Sequence, residues 1–144
     1  MKNIVIAFCL LFFALNVHAQ TNNGDVILHQ WKADDKSIIQ FEKSGNTYFA
    51  RVLYGSKLFE KDGKTYKRDV NNPNPALRSK SLQNHIFISQ LVFKNNKWTD
   101  GKVYNYEDGH TYEATITINN NVLNMRVYKG FSLLGKTVIW YLLK

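Results

Sequence analysis

The sequence predicts an all-β protein, and three observations support this. Apolar and polar side chains alternate through residues 111–118, which read TYEATITI, and a period of two is typical of a half-buried strand. Three asparagines at 119–121 then turn the chain into a second alternating run, since asparagine tolerates positive φ. Helical periodicity is absent after the first 19 residues. Strands joined by hairpins at this spacing predict either a sandwich or an up-and-down antiparallel β-barrel.

The same alternation recurs along the chain and predicts eight or nine strands. Their ranges are 26–31, 37–42, 48–54, 64–67 (a weak strand), 86–93, 102–106, 111–118, 123–127 and 137–143, with further turns at 44–46, 94–97 and 107–109. A closed barrel has no exposed edge strands, so we favour an up-and-down barrel of about eight strands. The interior of such a barrel is either packed with side chains or hollow enough for one small ligand.

The first 19 residues predict a cleaved signal peptide that precedes a single domain over residues 20–144. Lys2 is followed by an apolar run over residues 4–15, and Ala19 supplies the small residue before the cleavage site. This run is shorter than the ~20 residues that a membrane-spanning helix needs, so no transmembrane segment is predicted in the mature form. We therefore expect a periplasmic or secreted protein.

Cleavage also determines the charge and the thiol chemistry of the mature chain. It removes Cys9, the only cysteine, which excludes disulfides and thiolate metal ligands. It removes Lys2 as well, which lowers the formal net charge from +8 to +7 and leaves a basic protein. A basic exported protein suggests an anionic envelope component as a partner, whereas export argues against nucleic acid.

The sequence contains no pattern that predicts a catalytic residue, a metal site or a cofactor. His29, His85 and His110 lack the short spacing of metal ligands, and no serine has the flanking glycines of a nucleophile elbow. The dipeptide Asp108-Gly109 is typical of a hairpin turn rather than of a cation site. An enzyme acting on envelope glycans stays open as an alternative, because its two carboxylates can be distant in sequence.

Three stretches and one tryptophan resemble a known bacterial family. They are DVNNPNPALR (69–78), KWTDGKVYNYEDGHTYEATI (97–116), LNMRVYKGFSLLG (123–135) and Trp140. In this order, and over nearly the whole mature chain, they resemble the secreted domain of unknown function (DUF) 2147 family. The resemblance implies a lipocalin-like, calycin-type barrel and export, and it implies little about activity.

The family pattern falls on two groups of residues to which we assign different roles. The predicted ligand-binding residues are Asp69, Asn72, Arg78, Trp98, Tyr104, Tyr112 and Arg126. The predicted structural residues are Trp31, Pro73, Gly101, Asp108, Gly109, Gly135 and Trp140. The chain departs from the pattern at His29, at Asn84-His85 and at Val127, where the family has glycine, Gly-Leu and glycine.

Residues 69–78 predict a stiff strap between strands. Asparagine and aspartate side chains bond to their own backbone, and each proline holds the preceding residue extended. The strap is either a loop pinned by Asp69 and Arg78 over one end of the barrel, or a lid in which Arg78 offers its guanidinium to a carboxylate or phosphate.

The aromatic residues suggest where the barrel is closed and where it is open. We place Trp31 and Trp140 near the closing seam, where they fill the floor of the barrel. We expect Arg126 to lie above them and to make a cation–π contact with their rings. We place Trp98 at the edge of the mouth. The residues predicted to face inward are Tyr48, Val52, Ile116 and Met125.

Three functions are compatible with these observations. The first is non-enzymatic binding of a small amphipathic or lipid-like ligand in or at the mouth of the barrel, with Arg78 or Arg126 meeting an acidic head group. The second is a packed barrel that acts through its basic surface as an envelope interaction or structural module. The third is the glycan-acting enzyme. A cavity of roughly 300 Å³ or more would favour the first.

Overall fold

The computed structural model describes residues 23–144, so the predicted signal peptide lies outside the described residues. In this part of the chain, eight strands form a closed antiparallel barrel in which each strand pairs with its neighbours in sequence. The strands are β1 (Gln30–Ala33), β2 (Ile38–Ser44), β3 (Thr47–Tyr54), β4 (Ile86–Lys94), β5 (Lys97–Asn105), β6 (His110–Asn119), β7 (Val122–Tyr128) and β8 (Lys136–Leu142). Pairing of β8 with β1 closes the barrel. The predicted up-and-down barrel is confirmed.

One end of the barrel, which we call the closed end, has three tight turns. Residues 45–46, 95–96 and 120–121 join β2 to β3, β4 to β5 and β6 to β7. Gly45, Asn95, Asn96 and Asn120 have positive φ, which glycine and asparagine adopt readily. Two residues are therefore enough to reverse the chain at each of these turns.

A short 3₁₀ helix, Asn23–Ile27, packs against the closed end. The indole Nε1 of Trp31 donates to the carbonyl of Ile27 at 3.0 Å, and the hydroxyl of Tyr48 donates to Asp25 at 2.7 Å. Ile27 itself is fully buried. The prediction of a strand over residues 26–31 is wrong in its first half, because this helix buries Ile27 before β1 begins at Gln30.

The other end, which we call the open end, has the four longer connections. They are residues 34–37, 55–85, 106–109 and 129–135, and the second of these contains the predicted strap. The weak strand predicted over 64–67 is absent, because Asp62 accepts the backbone N–H groups of Lys64 and Thr65 and so forms a turn there. This connection contains two short 3₁₀ helices, Ser56–Leu58 and Pro75–Leu77, and its β structure is limited to isolated bridges of Phe59 with Tyr66 and of Arg68 with Ser81.

The core fills the half of the barrel next to the closed end. Its largest fully buried side chains include Trp31, Phe41, Tyr48, Leu91, Trp98, Ile116 and Leu123. The predicted inward direction of Tyr48, Ile116 and Met125 is confirmed, since all three are buried, and Val52 lines an internal cavity. None of the helices formed by residues 23–144 is long and apolar enough to span a membrane.

Candidate functional site

A cavity of about 780 Å³ occupies the half of the barrel next to the open end. Its floor includes the buried side chains of Ile39, Val103 and Trp140, and its wall includes Val52 and Phe87. Small-molecule sites typically measure about 300–1,000 Å³ and are mostly apolar. The barrel is therefore packed at one end and hollow at the other, so both of the predicted kinds of interior occur in one molecule.

Two residues of the cavity lining, His85 and Trp140, each have a buried nitrogen without a hydrogen-bond partner among the described residues. The Nε2 atom of His85 is buried and has no hydrogen-bond partner among the described residues. Its ring lies 5.5 Å from the ring of Tyr104, which also lines the cavity. Burial lowers the pKa of His85 below its ordinary value, and the nearby charge of Asp69 opposes this shift. A neutral imidazole in the cavity wall can donate or accept one hydrogen bond.

The rim of the cavity carries more positive than negative charge. Lys57, Lys129 and Lys136 line it together with one carboxylate, Asp35, and all four residues are exposed. Lys57 lies 3.7 Å from Glu107, an exposed pair that contributes little to stability. Lys129 and Lys136 form no ion pair with any residue in 23–144. These lysines could meet an anionic group at the mouth.

The strap is fastened to the barrel by a buried polar network. Asp69 is 2 % exposed and accepts the hydroxyl of Tyr104 on one carboxylate oxygen and the amide of Asn72 on the other, both at 2.6 Å. Burial, and secondly the hydrogen bond to Asp69, raise the pKa of the Tyr104 hydroxyl far above its ordinary value. Arg78 donates from Nε to the carbonyl of Asn72 at 2.8 Å. This network supports the interpretation of the strap as a pinned loop.

The predicted ligand-binding residues fall into four places, of which the cavity and the strap hold five of the seven residues. Tyr104 and Tyr112 line the cavity, and their contact with a ligand stays a prediction. Asp69, Asn72 and Arg78 belong to the network that fastens the strap, and none of these three lines the cavity.

The predicted position of Trp98 at the mouth is wrong. Trp98 is 2 % exposed and packs edge-on against Tyr48 and at 4.8 Å from the ring of Phe93. It follows the tight turn at 95–96, which lies at the closed end. The polar residues before Trp98 therefore mark the end of the barrel opposite to the mouth.

The predicted contact of Arg126 with the floor tryptophans is also wrong. Arg126 donates to the carbonyls of Ser132 and Leu133 in the β7–β8 connection, at 2.8 and 2.9 Å. The cation–π contacts among residues 23–144 join Lys43 to Tyr48 and Arg51 to Phe49. Arg126 alternates with the buried Met125 along β7, so its side chain lies outside the barrel.

The two floor tryptophans lie where we expected them relative to the seam. In the pairing of β1 with β8, Trp31 is opposite Leu142 and Trp140 is opposite Ala33. Trp140 lines the cavity from below. Trp31 does not line the cavity, and both tryptophans belong to the buried core.

Close packing explains why three of the predicted structural positions hold glycine. A Cβ atom on Gly101 would lie 2.6 Å from the side chain of Leu91, and one on Gly135 would meet the carbonyl of Val127. Gly109 has a φ of +73°, and a Cβ there would meet the carbonyl of Asn71 in the strap. The three positions therefore need glycine for close packing, and Gly109 needs it for its backbone conformation as well.

The two remaining predicted structural residues lie at the open end. Asp108 accepts the backbone N–H of His110 and the hydroxyl of Tyr112, both at 2.8 Å, so it organises the β5–β6 turn. Pro73 is exposed in the strap, directly after the buried Asn72. Residues 23–144 contain no group of three or more His, Cys, Asp or Glu side chains that could hold a metal ion.

Sequence reasoning missed the residues that define the cavity mouth. In the sequence, His85 stands out only as a scattered histidine and as a departure from the family pattern, and Lys57, Lys129 and Lys136 stand out only as part of the positive charge. Strand periodicity identifies the inward face of each strand, but all four residues lie in connections or at a strand end. Placing each connection at its end of an eight-stranded up-and-down barrel would have grouped them.

Comparisons with known proteins agree with this architecture. A family model described as "Uncharacterized protein conserved in bacteria (DUF2147)" matches residues 29–141. A similar solved structure is that of protein HP1028 from Helicobacter pylori, described as belonging to the lipocalin family. It is 27% identical, has a TM-score of 0.71, and the match covers 82% of this chain and 83% of that one. A search of curated proteins found no match.

Proposed function

We propose, for a chain that belongs to the bacterial DUF2147 family, that the barrel binds a small amphipathic ligand with an acidic head group. The observation that carries the proposal is the apolar cavity of about 780 Å³, which is open at a lysine-bearing rim. Likeness to a protein of the lipocalin family supports a ligand site inside the barrel, although fold likeness alone does not identify a ligand.

The wall and the rim suit the two halves of such a molecule. Each methylene group that leaves water for the apolar wall contributes about 0.8 kcal/mol, so a chain of about ten methylenes contributes roughly 8 kcal/mol before the costs of association. The acidic head then lies near Lys129 and Lys136, which have no carboxylate partner within the described chain. A long-chain fatty acid has both parts.

Two other functions receive less support from the cavity. A glycan-hydrolysing site needs two carboxylates facing one cleft, and within residues 23–144 the cavity is lined by one, Asp35. A structural module needs no hollow interior. We also propose that the predicted signal peptide exports the chain, so that the barrel meets its ligand in the periplasm or outside the cell.

Binding of a fluorescent fatty acid, dansyl-undecanoic acid, tests the proposal. In Val52→Phe the larger ring occupies part of the cavity, so we expect at least about a tenfold loss of affinity, equivalent to ~1.4 kcal/mol. Val70→Phe is the matched control, because Val70 is exposed in the strap and does not line the cavity. Equal affinities of the wild type and both variants, or no saturable binding to the wild type, would refute the proposal.

Native mass spectrometry of protein purified without detergent identifies a natural ligand. We expect an added mass in the range of a lipid or fatty acid that is lost on gentle activation. Equal occupancy of this added mass on Val52→Phe and the wild type would place the bound molecule outside the cavity.

A further inference from the structure

The β7–β8 connection presents three apolar side chains to solvent at the mouth of the barrel. Phe131, Leu133 and Leu134 are 76 %, 91 % and 82 % exposed. Leu134 also lines the cavity, so this apolar tip, defined as these three residues, adjoins the opening. A cluster of large, almost fully exposed apolar side chains marks an interaction site more often than an inert surface.

The apolar tip belongs to a well-fastened connection. Arg126 holds the carbonyls of Ser132 and Leu133 with two hydrogen bonds of 2.8 and 2.9 Å. The N–H of Gly130 donates to the carboxylate of Glu113 at 3.1 Å, and a short 3₁₀ helix, Ser132–Leu134, forms the turn. The backbone is thus fixed to β6 and β7 while the apolar side chains are exposed to water.

Charge at the two ends of the connection is positive. Lys129 precedes the tip and Lys136 follows it, and both are exposed. Glu113 is the acidic residue that contacts this connection. Its carboxylate already accepts the N–H of Gly130 and lies 3.7 Å from Lys102. Two lysines that flank a short apolar tip match a surface with an apolar layer under anionic groups.

We propose that the β7–β8 connection docks the mouth of the barrel on an anionic phospholipid bilayer. The apolar tip enters the boundary between head groups and acyl chains, and Lys129 and Lys136 meet the lipid phosphates. A second copy of the chain is a poorer match, because the surface of three side chains is much smaller than the ~800 Å² that each partner buries in a stable protein interface. The proposal goes beyond ligand binding, and it shares Lys129 and Lys136 with the cavity rim, whereas Phe131 and Leu133 belong to docking alone.

Flotation with lipid vesicles tests the docking surface. The protein is purified from its bacterial host, so that it carries the N-terminus that the host leaves on it. It is mixed with vesicles of phosphatidylcholine and phosphatidylglycerol, and separately with vesicles of pure phosphatidylcholine. We expect the wild type to bind the anionic vesicles more strongly than the neutral ones. The triple variant Phe131→Ser, Leu133→Ser, Leu134→Ser should lower the partition coefficient by about tenfold or more, since binding scales with the apolar area inserted.

Two further variants separate the apolar and the charged contributions. Lys129→Gln with Lys136→Gln should reduce binding to anionic vesicles by about tenfold or more and leave binding to neutral vesicles nearly unchanged, since each lysine near an anionic surface contributes about 1 kcal/mol. Val70→Ser removes another exposed apolar side chain, in a different connection, and should stay within about twofold of the wild type. Because all of these side chains are exposed, thermal unfolding should be unchanged in each variant.

The proposal is overturned if the wild type does not bind anionic vesicles, or if the triple variant binds as well as the wild type. A wild-type dimer in vesicle-free solution that dissociates in the triple variant would overturn it in favour of self-association. Binding of dansyl-undecanoic acid without vesicles should be unchanged in the double variant Phe131→Ser, Leu133→Ser, because neither residue lines the cavity, whereas its binding to anionic vesicles should still fall. Failure of docking is therefore distinguishable from failure of ligand binding.

Discussion

Removing the hydroxyl of Tyr104 should destabilise the barrel by leaving a buried carboxylate without one partner. In Tyr104→Phe the ring stays, but Asp69, which is 2 % exposed, loses its 2.6 Å hydrogen bond. An unsatisfied buried acceptor costs about 1–3 kcal/mol. Because Asn72 still donates to the other oxygen of Asp69, we expect a loss of roughly 2 kcal/mol in the free energy of unfolding.

Thermal and urea unfolding measure this loss. For a domain of this length 1 kcal/mol corresponds to roughly 3–5 °C, so the melting temperature should fall by about 6–10 °C. Tyr112→Phe is the matched control, because its hydroxyl bonds to Asp108 in an exposed turn where Asp108 keeps other donors. Its loss should be much smaller. Equal losses in the two variants would refute the argument that burial of Asp69 sets the cost.

The pH dependence gives a second test of the same hydrogen bond. Burial and the bond to Asp69 raise the pKa of Tyr104 in the folded chain, whereas in the unfolded chain the hydroxyl ionises near pH 10. Above pH 10 the unfolded state therefore binds fewer protons, and stability falls as pH rises. The difference in the free energy of unfolding between the wild type and Tyr104→Phe should have its largest value below pH 10 and become smaller above pH 10. A difference that does not change with pH would contradict this reasoning.

Two further predictions concern the pH response and the strap. Burial lowers the pKa of His85, so the stability that its neutral form contributes is present above about pH 6.5 and is lost as pH falls. His85→Gln should therefore flatten the dependence of the melting temperature on pH between pH 7.5 and 5.5, and a variant with the wild-type slope would contradict this reasoning. Gly109→Ala should cost more than Gly45→Ala in urea unfolding, because both have positive φ but only Gly109 faces a backbone carbonyl, that of Asn71. Equal costs would mean that backbone conformation alone explains the effect.

The topology could be predicted from the sequence because each hairpin is a local event. Alternation and asparagine-rich turns identify β6 and β7 without any knowledge of distant residues, and the structure has Asn120 at positive φ in the turn between them. The first predicted strand failed where a tertiary contact decides the conformation. Ile27 is held by a bond from Trp31 and by burial at the closed end, and neither is visible in a period of two.

The candidate site was harder to predict, since it depends on which end of the barrel each residue occupies. Tyr104 and Tyr112 line the cavity, whereas Trp98 is buried at the end of the barrel opposite to the mouth where we placed it. Arg126 has the wrong face, because its neighbour Met125 is the buried residue of that pair. A family pattern identifies important positions but does not separate residues that touch a ligand from those that fasten a loop.

The division of the barrel into a packed half and a hollow half separates the residues that maintain the fold from those that line the cavity. Large side chains such as Trp98 and Leu123 make their contacts far from the mouth, so they supply stability whatever occupies the cavity. Residues such as Val52 and Phe87 border empty space and can change in size with little effect on that core. Members of the family can therefore differ in the size of these wall residues while the same barrel is retained.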